Sequence, residues 1–238
     1  MKRFEVIFFD LDHTLIDTRR QYELGLDITL QSLYGEQSPA EFAARFMSHN
    51  DRLWPLYDQR KITMQDLRRE RFLVTWRDYG VEKSIAEAAV FQETYSQTFE
   101  TTLTCFPGTL EMLANLAADY RLGIITNGSP DLQERKLNIT GLSPFFDAKN
   151  VIVSEEIGWA KPHPLVYETA CHRLETRAGK SLMIGDNYKN DVLGARQCGL
   201  QALWYGPDAA TTAEVYVANE PRESLLRTQE QVLQFIAE

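Results

Sequence analysis

Apolar residues in this chain follow two kinds of pattern, and the change between them divides it. Near the start, Val6-Ile7-Phe8-Phe9 is an unbroken apolar run of strand length. From about Asp17 to Glu100 no strand pattern occurs, and apolar residues recur at helical spacing instead. Tyr22, Leu26, Leu30 and Leu33 share one face. Phe42, Phe46, Leu53, Trp54 and Tyr57 form the next stripe, with a break expected near Pro55. Phe72, Leu73, Trp76 and Tyr79 form another, and Ile85, Ala89, Tyr95 and Phe99 the last. Gly35 and Gly80 read as helix ends. The spacing predicts an insert of roughly four helices.

After Pro107-Gly108 the pattern alternates. Leu110, Leu113, Leu116 and Ala117 predict a helix and 122–126 a strand; a helix from about Pro130 precedes a strand at 151–153. Residues 164 to 174 read as a helix with proline in its first turn, and 181–185 as a strand. Val192 and Ala195 lie on a helix expected to end near Gly199; 202–204 is a short strand, and a helix is expected from about Ser224. Strands separated by helices make parallel βαβ units, and strands apolar throughout belong in a sheet covered on both faces. The expected fold class is therefore α/β: a Rossmann-like parallel sheet core, 1–16 and 103–238, with an inserted all-helical domain, 17–102.

Composition narrows the partners. The 238 residues carry a formal charge of −9, which argues against affinity for a nucleic-acid polymer or an anionic membrane but not against a small phosphorylated ligand. Cys105, Cys171 and Cys198 are an odd number without a Cys-x-x-Cys, so neither a disulfide framework nor a zinc knuckle is expected. Reduced thiols and the absence of a recognisable signal peptide give cytoplasmic location as the expectation. Apolar runs stay far below the about 18 residues a membrane span needs. Trp54, Trp76, Phe72 and Tyr57 are expected in the helical core. Arg19 and Arg20, where the insert begins, are either solvated or substrate contacts.

Four short stretches carry the candidate chemistry. Asp10-Leu11-Asp12-His13-Thr14 follows the first strand, so two carboxylates stand where open α/β sheets bind ligands. One carboxylate can attack phosphorus, and a second nearby can move the proton. Thr126-Asn127-Gly128 follows another strand; it is either a plain turn or a seat for phosphoryl oxygens. Lys161-Pro162 carries either a solvated loop lysine or a cation worth, before desolvation, about 4 kcal/mol against an anion at about 4 Å. Gly185-Asp186-Asn187-Tyr188-Lys189-Asn190-Asp191 leaves a strand and enters a helix, where its acids either cap the helix or bind metal. A calcium loop would need glycine at its sixth position, which is missing. The fold would gather Asp10, Asp12, Asp186 and Asp191, whose mutual repulsion calls for protons or a divalent cation; oxygen ligands beside phosphate favour Mg²⁺.

Taken in order and spacing, Asp10-x-Asp12-x-Thr14, Thr126, Lys161-Pro162 and Gly185-Asp186-(x)₄-Asp191 resemble the four motifs of the haloacid dehalogenase-like hydrolase superfamily. The helical stretch resembles that family's cap domain. The resemblance implies Asp10 as nucleophile and Asp12 as the acid and base. It implies Thr126, Lys161, Thr14, Asn127 and Gly128 as catalytic or substrate-binding groups around the phosphoryl. It implies a metal group of Asp10, Asp12 through its carbonyl oxygen, Asp186 and the supporting Asp191, with Mg²⁺ as cofactor. True dehalogenases lack the second aspartate of the first motif, so Asp12 favours phosphate chemistry. The motifs are most similar to a subgroup of pyrimidine 5′-nucleotidases and N-acylneuraminate-9-phosphatase. That similarity implies a phosphomonoesterase of a small phosphorylated metabolite, with a nucleoside 5′-monophosphate as first choice, acting as monomer or homodimer. A phosphomutase of the β-phosphoglucomutase type and a sugar-phosphate phosphatase are the alternatives. A non-catalytic binding protein would show damaged motifs, and all four are intact.

Overall fold

The computed structural model describes residues 2–207 and 226–237. The apolar runs form strands: β1 is Val6–Phe9, β2 Arg121–Thr126, β3 Val151–Val153, β4 Ser181–Gly185 and β5 Gln201–Trp204. They pair in parallel in the order β3-β2-β1-β4-β5. All side chains of the central β1 are fully buried, as a strand covered on both faces requires. On one face Val6 and Phe8 pack with Ile125, Ile152, Val166, Met183 and Trp204. The chain steps from β1 outward to β3 and then returns to lay β4 on the other side of β1. The strand order therefore reverses between β1 and β4, and their carboxyl ends flank the crevice where such sheets hold ligands.

The chain divides into two compact units, Met1–Asp17 with Thr104–Glu238, and Thr18–Leu103. The second is helical throughout: α1 Thr18–Tyr34, α2 Phe42–Asp58, α3 Met64–Arg77, α4 Ile85–Gln97 and a short α5 Phe99–Thr102. Two starts are written in the sequence as reciprocal caps. Thr63 bonds the Asp66 N–H while Asp66 bonds back, and Ser84 does the same with Glu87. Gly35 and Gly80, both at positive φ, stand just beyond α1 and α3. The inner stripes meet as a cluster of rings, with Phe72 and Phe91 centroids 4.7 Å apart and Phe42, Phe46 and Trp76 around them. Tyr57, Phe72 and Trp76 are buried and Trp54 is half-buried. The break expected near Pro55 does not occur, and α2 runs on to Asp58. Pro55 lies in the last turn, where its missing N–H removes a single helical bond.

The first unit continues with α6 Thr109–Ala117, α7 Pro130–Ile139, α8 Ser154–Ile157, α9 Pro164–Arg173, α10 Gly194–Gln197 and α11 Gln229–Ala237. On α6, Leu110 is exposed and Met112 takes an inner position instead. The helix expected around Val192 opens as a π-helical stretch, Tyr188–Leu193, before α10. Such wide turns gather at functional sites. The last helix begins at Gln229; Ser224, from which it was expected, lies outside the described residues. No helix among the described residues is long and apolar enough to cross a membrane.

Candidate active site

Asp10 is the first residue beyond β1, tied by its N–H to the Ile184 carbonyl of β4 at 2.8 Å. Its Oδ1 accepts from Lys161 Nζ at 2.6 Å. Lys161 is 4% exposed, and its ammonium also donates to Asp191 Oδ1 and to the Ile125 carbonyl, each at 2.7 Å. All its protons are thus matched to acceptors, which a buried charge requires. Burial works against the Lys161 charge, but Asp10 and Asp191 outweigh it and hold its pKa above the ordinary value. The loop that presents Lys161 is clamped from β2. Asn127 Oδ1 accepts from the Lys161 N–H at 2.8 Å while its Nδ2 donates to the Lys161 carbonyl at 3.1 Å.

Asp186 leaves β4 beside Asp10. Thr14, fully buried, donates from Oγ1 to Asp186 Oδ1 at 3.2 Å and accepts from the Asp186 N–H at 3.1 Å. The hydroxyl that the sequence offered to substrate is therefore a brace between the first and fourth stretches. Asp191 is fully buried, and each of its oxygens has a donor: Lys161 Nζ on Oδ1, the Asn187 N–H on Oδ2 at 2.9 Å. A Cβ on Gly185 would overlap the Asp191 carboxylate, so glycine is what lets the strand end and the π-helical stretch close up.

Asp10, Asp186 and Asp191 each bring one carboxylate oxygen within 4.8 Å of the others. Burial pushes the Asp10 carboxyl up to about 7 despite Lys161, and burial with Asp10 and Asp191 raises Asp186 well above the usual carboxylate range. One lysine does not offset three close carboxylates. The donor set is hard oxygen, and it fits a divalent cation of the Mg²⁺ kind, with Asp10 and Asp186 as the groups to hold it and Asp191 behind them. The sequence expected four acids to converge, and three of them do. The Asp12 side chain is not in this group; both its oxygens accept from Lys136 Nζ, at 2.6 and 2.8 Å.

Thr126, 1% exposed at the end of β2, accepts at Oγ1 from the Gly128 N–H at 3.2 Å, and its own hydroxyl proton has no acceptor among the described residues. The Gln133 side chain from α7 lies where a Cβ on residue 128 would be. Lys136 and Gln133 are the residues that motif reasoning missed. The available signal was polar residues at inward positions of α7, where Gln133, Lys136 and Leu137 share the buried face. His13 sits at positive φ in its loop, His49 pairs with Asp78 at 2.8 Å, and His163 caps α9. Arg19 is exposed and pairs with Glu23.

Residues 7–205 match the family profile described as haloacid dehalogenase-like hydrolase. The chain is 31% identical to pyrimidine 5′-nucleotidase PynA of Streptococcus pneumoniae, over 90% of this chain and 91% of that one. It is also 31% identical to glyceraldehyde 3-phosphate phosphatase of Pyrococcus abyssi, over 84% and 81%. Among solved structures, YfnB of Bacillus subtilis, crystallised bound to magnesium, superposes with a TM-score of 0.82 at 25% identity over 100% of both chains.

Proposed function

Because this chain belongs to the haloacid dehalogenase-like hydrolase family, we propose that it is a Mg²⁺-dependent phosphomonoesterase of a small phosphorylated metabolite, with a nucleoside 5′-monophosphate as substrate. The observation that carries the reading is the buried Lys161 bound to both Asp10 and Asp191, with Asp186 alongside and Asp12 two residues on. That arrangement aims one carboxylate, supplies fixed positive charge where the phosphoryl group would gather negative charge, and leaves a second carboxylate for protons. Mg²⁺, when bound by Asp10, the Asp12 carbonyl oxygen and Asp186, would supply further charge for the phosphoryl oxygens.

In this mechanism a carboxylate oxygen of Asp10 bonds to phosphorus, the phosphorus–oxygen bond to the alcohol breaks, and Asp12 gives its proton to the departing alkoxide. Water then attacks the aspartyl-phosphate, Asp12 takes the proton from that water, and inorganic phosphate and free Asp10 result. The Thr126 hydroxyl, through its proton, with Asn127 and Gly128 of the same turn, holds the phosphoryl oxygens. Thr14 serves by orienting Asp186. Residues 1–16 and 103–238 are the catalytic core in this reading, and residues 17–102 the cap that selects substrate.

The nucleotidase and triose-phosphate phosphatase relatives set the panel that tests it. Phosphate release is measured with Mg²⁺ from nucleoside monophosphates, triose and other sugar phosphates, with isomer formation followed in parallel to detect phosphomutase activity. Asp10→Asn is expected to lower turnover by at least about 10³-fold with the fold intact. A variant that still turns over would sink the assignment.

A further inference from the structure

Lys136 lies on a helix that none of the four motif stretches includes, 124 residues from Asp12, yet its ammonium donates to that carboxylate at 2.6 Å. Its ammonium meets both Asp12 oxygens, and its side chain is 10% exposed against 25% for Asp12. An ion pair on the surface holds little geometry, because both side chains can swing into water. One drawn this far out of water, with both carboxylate oxygens engaged, restricts the carboxylate about its terminal torsion and fixes the direction it faces. The anchor is itself firm. Pro130 starts α7 directly after the 126–128 turn, Gln133 packs against Gly128, and Leu137 on the same face is buried. The helix that carries Lys136 is thereby keyed to the turn at the end of β2. Asp10 and Asp12 are each gripped by a separate lysine, Lys161 for the one and Lys136 for the other.

We infer that Lys136 is the positioning residue for Asp12, setting where its carboxylate stands for proton transfer. The inference rests on the phosphatase reading and adds to it a residue that acts only through Asp12. A misplaced acid–base group loses rate without losing binding, since an error of about 1 Å can cost about 10²-fold. Lys136→Met is therefore expected to lower kcat by about 10- to 100-fold and to change KM less than about twofold.

The deciding experiment is a double-mutant cycle on steady-state turnover in Mg²⁺ with p-nitrophenyl phosphate; its leaving group needs no proton, so Asp12 enters only as the base for the attacking water, and the slowed turnover of Asp12→Asn is followed over long incubation. If Lys136 acts through Asp12, adding Lys136→Met to Asp12→Asn slows it by less than about twofold. If Lys136→Met slows Asp12→Asn by the factor it imposes on the wild type, or leaves the wild-type rate unchanged, the inference is overturned. Thermal melts confirm that each variant is folded; should Lys136→Met be unfolded, Lys136→Gln, which keeps a donor of similar reach, goes through the same cycle. A wild type inactive on every phosphate ester would sink the phosphatase reading and this inference together. An active wild type with additive variants sinks this inference alone.

Discussion

Asp10 and Lys161 show how far a single residue is defined by its surroundings. Both are ordinary letters in the sequence; their chemistry comes from being buried together at a strand end. The same physics acts on a group with no part in the proposed reaction. Burial pushes the Cys105 thiol up to about 11, opposed only in part by the Thr140 side chain, and the thiol donates to the Thr140 carbonyl at 3.6 Å. At pH 8 its thiolate fraction should be about 100-fold below that of an exposed cysteine. Iodoacetamide labelling followed by peptide mass analysis should find Cys105 modified that much more slowly than free glutathione; equal rates would show that the thiol is open to water. The motif residues could be picked from the sequence because each follows an apolar strand run or, for Lys161, lies on a loop beside one. Lys136 was marked only as a polar residue on the inner face of α7; the contact that gives it significance spans 124 positions.

Among the elements, the helical unit contains a feature that its amphipathic stripes conceal. Arg71 of α3 is 4% exposed, and its hydrogen-bond partners among the described residues are neutral oxygens. Its guanidinium donates to Asn50 Oδ1 of α2 at 2.9 Å, to Gln92 Oε1 of α4 at 3.0 Å and to the Tyr22 hydroxyl of α1 at 3.4 Å. The rings of Phe46 and Tyr95 lie 4.9 and 5.8 Å from it. One charge therefore ties α1, α2, α3 and α4 together through neutral oxygens and aromatic faces. Arg71→Met keeps most of the volume but leaves the Asn50 and Gln92 oxygens without their donor. It should cost about 2–4 kcal/mol, read from denaturant unfolding. A loss below about 0.5 kcal/mol would mean that ring packing alone holds the helices. The first three stripes were legible because they are local, whereas Ile85 and Ala89 of the fourth lie exposed and Ala88 and Phe91 face inward instead; the π-helical stretch before α10 was not legible, because it goes with the burial of Asp191 against Lys161 and Gly185.

For the protein as a whole, the acidic cluster links stability to pH and to metal. Asp10 in the folded chain keeps its proton up to about pH 7, and Asp186 is shifted the same way, whereas both ionise near pH 4 once unfolded. The native state then binds more protons than the unfolded state between those limits, so in EDTA this site makes stability fall as pH rises from about 4 to about 7. Mg²⁺ binds the ionised ligands and should reverse the loss. Its stabilisation should be small at pH 5 and should approach about 2.7 kcal/mol at pH 7.5 when Mg²⁺ stands at about 100 times its dissociation constant. Melting curves with and without Mg²⁺ at both pH values test this, and Asp186→Asn should abolish the difference; an equal shift at the two pH values would refute the linkage. The sequence by itself determined the alternation of strands and helices, the helical insert and the positions of the four motifs, because hydrophobic period and strand-end placement act over a few residues. Only the tertiary structure decided which acids meet. The reversal of strand order beside β1 brings Asp10 and Asp186 to one crevice, while α7 draws the Asp12 carboxylate to Lys136. Strand-end placement already pointed to the meeting of Asp10 with Asp186; that the Asp12 carboxylate turns to Lys136 instead depends on how α7 packs, which no local pattern in the chain encodes.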